Sequence, residues 1–107
     1  MYKLTRHIDR RRAVLAVLLA AKPAALSLGE IAARLRNDGV EAPSGAQALS
    51  DLLRNQVRNG NVVKRGRARF AAGYFSRSGE WRARNWRLLA ERTATERPAQ
   101  RVPVKYS

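Results

Sequence analysis

The densest chemistry in this chain lies between Val62 and Phe70, in the stretch VVKRGRARF. Lys64, Arg65, Arg67 and Arg69 crowd into it, with Gly66 in their midst. Like charges this close repel one another unless an anion compensates, so the stretch is suited to a polyanion. Arginine adds geometry to charge. Its planar fork pairs bidentately with phosphate and with guanine edges, where lysine offers a point charge. Basic residues on a hairpin edge also guard against aggregation, but fewer would suffice for that.

The rest of the chain repeats the message. Its 107 residues hold 22 Lys+Arg against 8 Asp+Glu, a formal net charge of +14. Eighteen of those bases are arginines. A GC-rich coding bias favours arginine over lysine, but it does not create the imbalance with acids. Residues 1–53 carry a net +3, residues 54–92 a net +9 and residues 93–107 a net +2. Charge concentrated in one stretch locates a footprint better than a total does.

Parts for catalysis are missing. His7 is the only histidine and sits in an arginine-rich helix start. No two carboxylates are spaced as an acid/base pair, and there is no Gly-rich phosphate loop or metal-ligand cluster. The absence of cysteine excludes disulfides, thiolate metal sites and a thiol nucleophile. The sequence thus predicts a binding protein, with no enzymatic activity, no cofactor and no metal.

The elements that must position these residues follow from periodicity. Ile8, Val14, Leu15, Val17, Leu18 and Leu19 cover more than one face of a helix over about 6–21, which makes it central. Its RRRAVLAVLLAA run (10–21) has the outline of a secretory signal. Asp9 within the basic region and Lys22-Pro23 directly after the apolar run favour a core helix, and the run is too short to span a bilayer. Pro23 ends the helix by pushing Lys22 out of the α region. SLGE (27–30) is a capping box that opens a second helix, with Leu28, Ile31 and Leu35 as its stripe. Gly39 is its expected C′ residue. SGAQ (44–47) opens a third helix with a similar box, and Leu49, Leu52, Leu53 and Val57 face inward until Gly60 stops it.

Two capped helices joined by VEAP make the skeleton of a helix-turn-helix. Val62 and Val63 then start a strand. Gly66 supplies a turn that is either tight at Arg65-Gly66 or wide across 65–72. Phe70 or Tyr74–Phe75 brings the chain back, and AALS (24–27) offers a short strand to pair with the hairpin. A last helix is expected over about 79–92, with Trp81 and Leu88 seven apart and Trp86 and Leu89 beside them.

This order resembles the winged helix-turn-helix family over roughly residues 6–75. LSLGEIAARLRNDGV is similar to its second helix, and SGAQALSDLLRNQVRNGNVVKRG to its third helix running into the first wing strand. The spacing most resembles linker-histone globular domains and bacterial HARE-type domains. The resemblance implies double-stranded DNA as the partner. It places a recognition helix over 44–59 in the major groove and a basic wing over 62–72 on the backbone or minor groove. Added terminal helices in this family often make dimers.

The residue types agree with that implication. Ser44, Gln47, Ser50, Asp51, Arg54 and Arg58 remain on the outward face of the third helix. Gln47 can pair with adenine and Arg54 with guanine or phosphate, while Asp51 can orient Arg54 or accept from cytosine. Lys64, Arg65, Gly66, Arg67 and Arg69 make up the wing contacts. Arg65-Gly66-Arg67 also resembles the R-G-R core of AT-hooks, with Ala68 where their proline stands. Trp81, Trp86, Leu88 and Leu89 are candidate dimer contacts. Stacking of the tryptophans on unpaired bases is the alternative, and burial is the plainer reading.

The expected architecture is therefore mainly helical with a small β-hairpin: a winged helix-turn-helix over 1–75, a helical extension over 76–95 that supports a homodimer, and a flexible tail over 96–107. The expected function is that of a small transcriptional regulator or nucleoid-associated protein, located in the cytoplasm on the nucleoid. An RNA or single-strand binder and a winged-helix protein-interaction module are the rivals.

Overall fold

The structure is a computed structural model and describes residues 7–40 and 45–92. The tail expected over 96–107 lies outside these residues. Seven named elements follow in chain order: α1 (His7–Ala21), β1 (Leu26–Ser27), α2 (Leu28–Asn37), α3 (Gly45–Arg58), β2 (Val62–Lys64), β3 (Arg69–Ala72) and α4 (Arg77–Arg84). A further helical segment, α5, covers 86–92. The protein is thus mainly helical, with one small antiparallel sheet of order β1-β3-β2.

α1 is the central element. Ala13, Val14, Leu15, Val17, Leu18 and Leu19 are all buried, which needs neighbours on more than one side. They are supplied by α2, β3 and α4. Among the described residues no helix is long and apolar enough to cross a membrane.

Local chemistry sets the next two helices. Ser27 Oγ accepts from the Glu30 N–H at 3.2 Å, and the Ser27 N–H donates to Glu30 Oε1 at 2.8 Å. This is the expected capping box, and it fixes the start of α2. At the far end Gly39 has φ +81°. Its N–H donates to the Arg36 carbonyl and that of Val40 to the Leu35 carbonyl, the paired bonds of a Schellman motif. Buried Leu35 and Val40 complete it. α3 ends the same way. Gly60 has φ +84°, its N–H bonds the Val57 carbonyl, and that of Asn61 bonds the Gln56 carbonyl. Ser44, expected to cap α3, lies outside the described residues.

The hairpin resolves the alternatives left by the sequence. Val62 pairs with Ala72, Val63 with Ala71 and Lys64 with Phe70, and the Arg65 N–H donates to the Arg69 carbonyl at 2.8 Å. The loop is therefore Gly66, Arg67 and Ala68, between the tight turn at Arg65-Gly66 and the wide one across 65–72 that the sequence offered. Phe70, not Tyr74–Phe75, lies on the returning strand. Leu26 and Ser27 pair with Phe70 and Arg69, so the short strand before α2 does join the sheet. At the other end of β3 the chain runs too close to the α3–β2 corner for a side chain: a Cβ on Gly73 would lie 2.5 Å from the Gly60 carbonyl oxygen.

The last helix differs from expectation. It is capped by Ser76, whose Oγ accepts from Gly79 N–H, and so starts at Arg77. It breaks at Asn85, whose Nδ2 donates to the Trp81 carbonyl at 2.8 Å, and resumes over 86–92. Its buried residues are Ala83, Trp86 and Ala90. Trp81 and Leu88, the pair seven apart, are 51% and 49% exposed. Arg87 stacks over the Trp86 ring and donates to the Asp38 carbonyl, tying α5 to the C-terminal end of α2. A cation there also suits the helix dipole.

Candidate nucleic-acid interface

α3 separates its faces cleanly. Leu49, Leu52 and Leu53 are buried and Val57 is half-buried, while Gln47, Asp51, Arg54 and Arg58 are exposed and Ser50 is half-buried. The outward face forms a linked set. Gln47 Nε2 donates to Asp51 Oδ1 at 2.9 Å, and the same carboxylate oxygen lies 3.9 Å from Arg54 Nη1. Asp51 thus holds the Gln47 amide and the Arg54 guanidinium together on this face. Arg58 stands in the last turn, where positive charge complements the helix dipole. The Gln47 side chain, expected in a capping box with Ser44, is committed here to Asp51.

The α3–β2 corner carries the chain straight into the hairpin. Val62 is buried and anchors β2, and from Val63 through Arg69 every residue is exposed. Lys64, Arg65 and Arg67 make no ion pair among the described residues. Arg69 is different. Its Nη1 lies 3.3 Å from Glu30 Oε1 and 3.4 Å from the Ala25 carbonyl, so it braces β3 against the start of α2. The four cations of the sequence become three at the tip and one brace. Glu30 responds: its carboxyl is held below the ordinary value, first by the Ser27 backbone N–H, then by the Ser27 side chain, with Arg69 and Arg34 contributing.

The loop conformation bears on the R-G-R resemblance. Gly66 has φ +62° and Ala68 φ +58°. Proline is locked near about −65° and cannot occupy position 68 in this loop. The missing AT-hook proline therefore has a backbone reason.

Of the candidate dimer contacts, Trp86 is buried in the chain's own core at 5% exposure and Leu89 is half-buried. Trp81 and Leu88 face outward.

Sequence reasoning passed over Gln56, which is only 3% exposed. Its Oε1 accepts from Asn61 Nδ2 at 2.8 Å, which pins the α3–β2 corner. Periodicity held the signal, because Gln56 lies three residues after Leu53 and seven after Leu49. In comparisons with known proteins, the chain matches no family model, no curated protein and no solved structure.

Proposed function

We propose that this chain is a winged helix-turn-helix protein that binds double-stranded DNA. α3 is its recognition helix, and the β2–β3 hairpin its wing. One observation carries the reading: the exposed face of α3, with Gln47, Arg54 and Arg58, continues through a rigid corner into a hairpin tip whose Lys64, Arg65 and Arg67 have no anionic partner among the described residues. Unpaired guanidinium groups gain most from phosphate, which accepts from them bidentately. The α3 side chains then face base edges and the hairpin the backbone or minor groove. A regulator or nucleoid-associated protein, acting on the nucleoid and self-associating through Trp81 and Leu88, is the simplest setting for such a face.

A binding selection from random duplexes, followed by competition with single strands, tests the reading. Enrichment of a duplex motif that single strands do not displace supports it. Preference for single strands would move the function to Trp81, an exposed aromatic on which unpaired bases can stack.

A further inference from the structure

A cavity of about 220 Å³ opens between α1, the α3–β2 corner and the first turn of α4. Its polar wall is cationic and amide-rich. Arg11 and Arg12 reach it from α1, Arg82 from α4, and no carboxylate lines it. The side chains of Arg11 and Arg82 have no hydrogen-bond or ion-pair partner among the described residues. Gln56 lines the same space at 3% exposure. Its Oε1 is satisfied by Asn61, but its own amide hydrogens meet no acceptor among the described residues. That amide nitrogen is open to the cavity rather than sealed from solvent, so it can donate to a ligand oxygen there. Ser76 and Gly79 bring in the N-terminal turn of α4, which also favours negative charge.

We propose that this cavity binds a small phosphate-bearing molecule. Arg11 and Arg82 hold the phosphate oxygens by charge-assisted bonds from two sides, and the Gln56 amide donates to an oxygen deeper in. Leu15, Phe75 and Ala83 supply the apolar wall. Pockets for drug-sized ligands begin at about 300 Å³, so the space suits a small phosphate ester. Occupancy ties α4 to the corner from which the hairpin leaves. The site uses neither Gln47 nor the hairpin-tip cations, so it does not depend on the DNA reading.

Calorimetric titration of the full chain with inorganic phosphate and with glycerol 3-phosphate, at fixed ionic strength in chloride, tests it. The expected result is saturable binding at one site per chain. Arg11→Ala with Arg82→Ala weakens it by about tenfold or more, as loss of two charge-assisted contacts requires. Arg82→Ala alone weakens it too, and Arg82 is exposed, so that variant folds. Arg65→Ala with Arg67→Ala leaves it unchanged. Unsaturable binding, or equal loss in the hairpin variant, would overturn the site in favour of diffuse attraction to a +14 chain. The phosphate could instead come from a DNA backbone. Duplex titrations of the Arg11/Arg82 double variant without free phosphate separate the sources. A salt dependence equal to the parent's supports a free small molecule, and a shallower one overturns it.

Discussion

Asp51 is the residue on which the α3 face turns. It accepts from Gln47 and pairs with Arg54, yet all three are exposed, so the cluster adds little to stability. Its value is positional: an amide and a guanidinium are held side by side where base edges would lie. Gln47→Ala should therefore cost about 1–3 kcal/mol on the best duplex and little on a scrambled one. Competition binding on the two duplexes reads the difference, and an equal loss on both would make Gln47 a structural residue. Ala68 makes a separate point. An L-residue at φ +58° is strained where glycine is not, so Ala68→Gly should raise stability by roughly 0.5–1 kcal/mol after glycine's own entropy cost. Ala68→Pro should lower it. Chemical denaturation of both variants reports on the loop directly, and a stabilising proline would mean that the loop is not the one described.

At the scale of elements, the hairpin and α2 are coupled through Glu30. That carboxyl caps α2 and pairs with Arg69 of β3. Its pKa is lowered on folding, so its contribution to stability is complete above the ordinary carboxylate value and is lost as pH falls through the folded value. Glu30→Gln should thus melt below the parent at about pH 7, and the gap should narrow as the pH falls below the ordinary carboxylate range. A gap independent of pH would assign the effect to the cap geometry alone. How legible these elements were depends on how local their causes are. The Ser27–Glu30 box and the C′ glycines 39 and 60 are written within a few residues, and the sequence read them directly. The hairpin loop depended on a left-handed Ala68, which no propensity signals. The C-terminal helix misled because two of the three residues on its inward stripe are alanines, which a search for large apolar residues passes over. Ala83 and Ala90 go inward with Trp86, while the larger Trp81 and Leu88 stay out. At the interface, the segregation of α3 faces was legible from period 3.6. The withdrawal of Arg69 was not, because it depends on strand pairing that brings residue 69 beside residue 27.

For the whole molecule, the two tryptophans divide between folding and association. Trp86→Ala should destabilise by about 3–5 kcal/mol, as large-to-small changes in a core do. Trp81→Ala should leave the melting temperature nearly unchanged and weaken any dimer seen by sedimentation. A dimer indifferent to Trp81 would place self-association elsewhere. The larger question is what balances a +14 chain whose hairpin tip has no counter-charge among the described residues. On the proposed reading duplex phosphate answers it, and salt measures that answer. With about six phosphates neutralised, log K for a duplex should fall against log[salt] with a slope near about −5. Arg65→Ala with Arg67→Ala should keep the parent's stability while making the slope shallower by roughly one unit per lost phosphate contact. Duplex titrations of parent and double variant across a range of salt therefore test the central claim most directly. The account predicts a steep parent slope and a shallower variant slope. A parent slope shallower than about −2, or a variant that binds as the parent does at every salt, would contradict it.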